Sequence, residues 1–180
     1  MNSGIFRPFA LLGALVLMLT GCTGMPEKVQ PVSGFDLDRY LGTWHEIARL
    51  DHSFERNLTE VSAEYSLRED GGVKVVNRGF DQKKQQWKEA IGKAYFVESP
   101  NIGRLKVSFF GPFYGGYNIA MLNADYSSVL VIGPSLEYGW ILARSKTLDA
   151  ARCEELLTEA QRIGIQTENW IWLQDCRRPN

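Results

Sequence analysis

His45, His52, Glu46 and three cysteines (Cys22, Cys153, Cys176) are the residues in this 180-residue chain best placed by type to do chemistry. A hydrolytic relay needs a base within hydrogen-bond reach of a serine or cysteine. His45 and His52 are the only histidines. In the run "TWHEIAR", alternation that turns Trp44 inward turns His45 outward, so the interior has no obvious imidazole base. Glu46 then faces inward alone. A lone acid lacks the partner that acid–base work on a substrate needs, and it reads as a satisfied buried acid near one end of the fold. There is no G-x-S-x-G elbow, no H-E-x-x-H and no phosphate-cradling glycine loop. No metal site and no cofactor are expected. A formal net charge of -1 gives no reason to expect nucleic acid.

Cys22 carries a different kind of chemistry. Arg7 supplies a positive start, and Phe9 to Leu19 is an almost unbroken apolar run. Spanning a bilayer takes roughly 20 apolar residues, so this run reads as the core of a secretory signal. It ends in Leu19-Thr20-Gly21-Cys22, which resembles the bacterial lipobox, whose cysteine is acylated and becomes the new N-terminus. The alternative is an ordinary signal peptide with a chance cysteine. Residues 1–21 are thus expected to be a lipoprotein signal and Cys22 the lipidation site. Several acyl chains, at about 0.8 kcal/mol per buried CH₂, anchor a protein stably. Thr23, rather than Asp, follows the cysteine and resembles an outer-membrane address. Met25 to Ser33 holds two prolines and no apolar periodicity, so 22–34 reads as a flexible tether.

The remaining elements must build the body. From Tyr40 the chain breaks into eight short alternating runs, near 43–50, 59–67, 73–79, 86–97, 103–110, 117–123, 127–133 and 138–144. Turn signals separate them, with "EDGG" the clearest. Such a pattern predicts an all-β antiparallel meander, closed as a barrel or stacked as a sandwich. A helix follows, with Thr147 a plausible N-cap, a stripe of Cys153, Leu156, Leu157, Ala160 and Ile163, and Gly164 as its stop. "NWIWLQ" reads as a short last strand. In an exported chain Cys153 and Cys176 either form a disulfide or remain a small buried hydrophobe and a free tail thiol.

"YLGTWHEIAR", Tyr40 to Arg49, carries Gly42-x-Trp44 at the start of the first run and resembles the signature of the lipocalin family. Asp125-Tyr126, between the sixth and seventh runs, and Arg144, ending the eighth, follow in the family's order. "GTWHEIARLDHSFERNL", "AEYSLREDGGV" and "LKVSFFGPFYGGYN" look closer still to bacterial members that are outer-membrane lipoproteins. The likeness covers Phe35 to Leu173 and sets a lipocalin domain at 35–180. It implies an eight-stranded antiparallel up-and-down barrel with one C-terminal α-helix packed outside. It further implies a fatty acid or lysophospholipid ligand, stored or transported for envelope maintenance. The attachment implied is to the outer membrane, with the barrel facing the periplasm, and the assembly a homodimer. Gly42, Trp44 and Arg144 would form the barrel floor, with Arg144 against the Trp44 ring. A cation–π contact of that kind is worth about 0.5–2 kcal/mol.

An eight-stranded barrel is just wide enough for one small ligand. With Trp44 inward, alternation places Glu46 and Ala48 inside the first strand. Matching the other strands to the family pattern puts Ala63 and Tyr65, then Val75 and Asn77, then Val107 and Phe109 in the cavity. Tyr117, Ile119 and Met121 follow, then Leu130 and Ile132, then Tyr138 and Trp140. That lining is mostly apolar with a few polar groups, which suits an acyl chain with a polar head. The competing readings are a barrel filled solid by these side chains, or a lipocalin-fold enzyme acting on a bound hydrophobic substrate. "FFGPFYGGYN", Phe109 to Asn118, is either a tight turn with an aromatic cluster or a contact surface for ligand, membrane or another copy. "DHSFERN", Asp51 to Asn57, would form a loop over the open end. There His52, Phe54 and Arg56 could touch a phosphate head group, a solvated loop being the plainer reading.

Overall fold

The computed structural model describes residues 23–174 and 176; Cys22 and the residues before it lie outside them. Eight antiparallel strands follow in chain order: β1 (Gly42–Leu50), β2 (Leu58–Leu67), β3 (Val73–Asp81), β4 (Gln86–Phe96), β5 (Arg104–Ser108), β6 (Gly115–Leu122), β7 (Ser128–Ile132) and β8 (Gly139–Ala143). Each pairs with the next, and β1 pairs with both β2 and β8, so the sheet closes on itself and leaves no free edge among these eight. A short ninth strand, β9 (Trp170–Trp172), adds to the upper half of β1. The up-and-down order puts loops 51–57, 82–85, 109–114 and 133–138 at one end, the mouth. Trp44 and the turns after β2, β4 and β6 lie at the other end, the floor.

β1 changes partner along its length. Gly42 to His45 lie opposite β2, whereas Ala48 to Leu50 lie opposite β9. Between them the register against β8 slips, Glu46 facing Leu142 and Ala48 facing Ile141, so Ile47 is an extra residue. One inserted residue turns every later side chain to the opposite face. Ala48, expected in the cavity, is therefore buried in the layer beneath the helix. Arg49 comes round to meet Glu46.

Two apolar layers hold the fold. One fills the barrel interior around Trp44, Tyr65, Val75, Leu105, Val129, Val131 and Leu142. The other lies between the barrel wall and α2 (Ala150–Ile163), and contains Ile47, Leu130, Ile132, Ile141 and the helix stripe Cys153, Leu156, Leu157, Ala160 and Ile163. Leu130 and Ile132, expected inside, thus face the helix, and Val129 and Val131 face the interior. All five β7 residues are buried, so both faces are covered and hydropathy carries no phase there. Met121 also packs against the helix-side layer, because the register shifts between Ile119 and Met121. Asp149, not Thr147, caps α2, its side chain accepting from the Arg152 N–H. Gly164 closes it at φ 103°, a conformation that favours glycine. Cys153 and Cys176 are joined by a disulfide with their Cα atoms 5.9 Å apart.

The stretch expected to be a flexible tether is a strap. From residue 23 it runs down the outside of the barrel from mouth to floor. At its start the strap lies against Gly116, near the mouth end of β6, and Asn118 Nδ2 donates to the Gly24 carbonyl from further along that strand. Val29 is buried in the helix-side layer. At the floor end the Val32 N–H donates to Ile119 O and the Gly103 N–H donates to Val32 O, at 2.9 and 2.8 Å. A Cβ at Gly103 would lie 2.8 Å from Val32, so that glycine makes room for the strap. Backbone hydrogen bonds and one deeply buried valine hold this segment where its composition suggested none would.

Candidate functional site: the barrel interior and its mouth

The floor is built as the resemblance to the lipocalin signature implied. The Trp44 indole N–H donates to Tyr40 O at 2.8 Å, fixing the ring at the end of α1 (Leu37–Tyr40). The Arg144 guanidinium lies 4.1 Å from the Trp44 ring centroid and donates to Thr43 O and Arg39 O. Gly42, at φ 91°, brings the chain past this guanidinium; a Cβ there would sit 3.4 Å from Arg144 Nη1. Above the floor three phenols meet. Tyr117 OH is 2.7 Å from Tyr40 OH and 2.9 Å from Tyr65 OH, and burial raises all three above the ordinary phenol value, Tyr65 to about 12. They stay neutral and form the polar base of an apolar cup.

Around and above that base the walls are lined by small or half-covered side chains. Ala63, Val107, Phe109, Tyr117 and Trp140 belong to the interior layer yet are only partly buried, so the barrel is not packed solid at their level. Ala63 lies opposite Asn77 across β2 and β3, and Val75 lies opposite Gly92. The Phe109 ring covers Gly92, where a Cβ would come within 2.8 Å of it. Asn77 Oδ1 is buried with no hydrogen-bond donor among the described residues, an acceptor in an apolar wall. Ile119 is fully buried beside the floor, below the open part. Tyr138 lies in the mouth loop, 6.0 Å from the His52 ring.

Sequence reasoning missed the polar cluster at the mouth. Arg49 Nη1 donates to Glu46 Oε1 at 2.6 Å, while its Nη2 donates to Glu55 O and Leu58 O, closing the gap where β1 leaves β2. Trp140 Nε1 donates to Glu55 Oε2 at 3.0 Å. Glu46 therefore does not stand alone, because a second buried carboxyl shares its one cation. Burial, then the Glu55 charge, push Glu46 up to about 8 against the pull of Arg49. Burial likewise raises Glu55. One guanidinium cannot neutralise two desolvated carboxylates, so one proton stays with the pair. The spacing Glu-x-x-Arg hides this partnership, because three residues apart on an unbroken strand point to opposite faces.

His52 is not in a solvated loop. It is buried, stacked on Phe54 at 4.0 Å and tilted against Trp140 at 5.1 Å. Its Nε2 lies 3.1 Å from Glu55 Oε2, but burial, reinforced by Arg49, lowers it to about 4, so the contact is not an ion pair at neutral pH. Among the described residues neither ring nitrogen has a hydrogen-bond partner. Phe54 and Arg56 stay exposed, Arg56 held by Asp51 at 2.9 Å. His45 faces outward, as alternation required, into a surface groove of about 280 Å³ that also contains Arg78, Trp87 and Lys146.

A closed eight-stranded up-and-down barrel, floored by a Trp–Arg pair and flanked by one helix, is a cup with a single mouth. The chain belongs to the lipocalin family: the family model described as a lipocalin-like domain matches residues 35–175. It is 50% identical over 159 residues to "Outer membrane lipoprotein Blc" of Vibrio cholerae, covering 88% of this chain and 93% of that protein. It is 45% identical over 169 residues to the protein of the same name from Escherichia coli K12, covering 93% and 96%. Insecticyanin from the tobacco hornworm Manduca sexta shares the fold at a TM-score of 0.66 and 21% identity, covering 83% of this chain and 85% of that one.

Proposed function

We propose that this lipocalin is an outer-membrane lipoprotein that holds a fatty acid or lysophospholipid in its barrel and stores or carries it for the envelope. The observation that carries the ligand class is the interior lining: small and half-covered apolar side chains, with polar groups at base and mouth and Asn77 in the wall. An acyl chain satisfies such walls by burial alone, at about 0.8 kcal/mol per CH₂. The lipobox at Cys22 and the 45–50% identity to proteins named outer membrane lipoprotein support the location. In this reading residues 1–21 are removed, Cys22 is acylated, and the barrel faces the periplasm. A homodimer is part of the reading on the strength of the likeness, and a single species of monomer mass across concentrations in sedimentation would remove it. Binding rather than catalysis is the activity proposed, on the strength of the lipocalin family and its lipoprotein relatives; turnover of a bound substrate that is lost on replacing Tyr65, Asn77 or Tyr138 while binding is spared would overturn it.

Native mass spectrometry of protein purified from membranes tests the ligand. An adduct with the mass of a fatty acid or lysophospholipid is expected. Protein that is always ligand-free, and that takes up neither ligand when titrated, would sink the proposal.

A further inference from the structure

We propose that the mouth end of the barrel docks on the phospholipid bilayer itself, with Phe110 and Phe113 inserted among the acyl chains. Among the described residues the exposed aromatic side chains are Phe54, Trp87, Phe110 and Phe113, and all four sit at the mouth end. Phe110 and Phe113 are 83% and 77% exposed on the tip of the β5–β6 loop, where they touch no core layer. Phe54 projects from the β1–β2 loop, and Trp87 flanks the β3–β4 turn. An aromatic girdle confined to one end of a soluble barrel is the distribution found at membrane–water boundaries, where rings sit at head-group level.

Two further observations select a bilayer as the occupant. The strap ends at this rim: the Gly24 carbonyl lies against Gly116 and accepts from Asn118, and a Cβ at Gly24 would meet Pro134 O at 3.2 Å. Cys22 is two residues further on, so it lies within about 8 Å of Gly24 by chain geometry alone. An anchor at Cys22 would therefore hold the mouth, not the floor, against the membrane; this point rests on the lipoprotein reading above. Lys83 and Lys84 are exposed in the β3–β4 turn at the same end, where anionic head groups would meet them, with Glu137 and the Arg56-paired Asp51 as the opposing acids. A mouth so placed would let an acyl chain pass from bilayer to barrel without crossing water.

The test uses the full chain in phosphatidylethanolamine–phosphatidylglycerol vesicles whose acyl chains carry bromine, a fluorescence quencher. A bimane label is placed at Phe113→Cys, and in a second variant at Glu69→Cys on the floor-end turn; a non-reducing peptide map checks that Cys153–Cys176 is intact. Quenching about threefold or more stronger at position 113 than at 69 is expected, as for a ring below the head groups. Such quenching supports docking whether or not mass spectrometry finds acyl chains on Cys22. Acylated protein with equal quenching at the two positions overturns the docking and leaves the anchor standing. Protein neither acylated nor quenched overturns both. Disulfide-linked dimers through residue 113, without lipid quenching, would make the rim a contact between copies and overturn the bilayer.

Discussion

Replacing Glu46 with Gln should make the protein more stable at neutral pH, and by an amount that grows with pH. Glu46 and Glu55 share Arg49 in a buried site, and burial with the second carboxyl sets Glu46 near 8 in the fold, against an ordinary value near 4.5. An acid whose folded value is raised keeps its proton when native and loses it when unfolded. Between those two values the native state binds more protons, so its stability is full below about 4.5 and is lost as pH rises to 8. The slope approaches about 1.4 kcal/mol per pH unit, and the whole effect is on the order of 5 kcal/mol. His52 acts in the opposite direction, being neutral in the fold down to about 4. Its contribution is lost as pH falls from 6.5, so the window from 6.5 to 8 separates His52 from the Glu46–Glu55 pair, to which the slope there belongs. The amide in the Glu46→Gln variant keeps an oxygen that accepts from Arg49 Nη1 but cannot ionise. Urea unfolding at pH 5, 6, 7 and 8, followed by tryptophan fluorescence with the disulfide intact, gives the difference between variant and parent. A difference that is flat, or that favours the parent more as pH rises, would mean the Arg49 ion pair dominates and would refute the reasoning.

Arg144→Ala should cost about 2 kcal/mol in urea unfolding, through the lost cation–π contact and two backbone carbonyls left without their donor, and Arg144→Lys should restore only part of it. Replacing Cys153 and Cys176 together with Ala should lower stability by about 3 kcal/mol, from the 23-residue separation the bond closes; reduction of the parent should shift its unfolding midpoint by a similar amount. Cys22→Ser should release the protein from the membrane fraction and leave lysophospholipid affinity in vitro unchanged, because the strap from Val29 to Val32 is held to the barrel by its own packing and backbone hydrogen bonds. Lost binding in that variant would show that anchor and site are not separate.

The eight runs and the helix stripe could be read from sequence because each rests on local signals: turn residues, alternation, and helical spacing; the Gly42, Trp44, Arg144 floor was legible only through the resemblance to the lipocalin signature. The interior list fared unevenly for a physical reason. Where one face of a strand is wet, as on β3 with exposed Lys74 and Arg78, alternation is visible and Val75 and Asn77 take the face read for them. Where both faces are dry, as on β7, it is not, and Ile132 went to the helix side. The bulges at Ile47 and after Ile119 reversed Ala48 and Met121, and nothing in the one-dimensional pattern marks either. The same bulge created the Glu46–Arg49 contact, so the polar cluster was illegible for the reason that Ala48 was misplaced. The strap was missed because its order comes from carbonyls and amides of β5 and β6 neighbours, not from its own composition.

The central claim is that ligand lies inside the barrel and reaches down to Ala63, which lies opposite Trp44 of the floor across β1 and β2. Titrating delipidated parent and Ala63→Phe with the same lysophospholipid, by tryptophan fluorescence, tests it most directly. Ala63 is partly exposed within the interior layer, so a ring there should fill space without unfolding the barrel, with a cost of about 1–3 kcal/mol that an unfolding curve checks. The account predicts saturable binding to the parent, with altered tryptophan emission, and affinity at least about tenfold weaker in the folded variant. Equal affinity in the two proteins, or no binding to either, would contradict it.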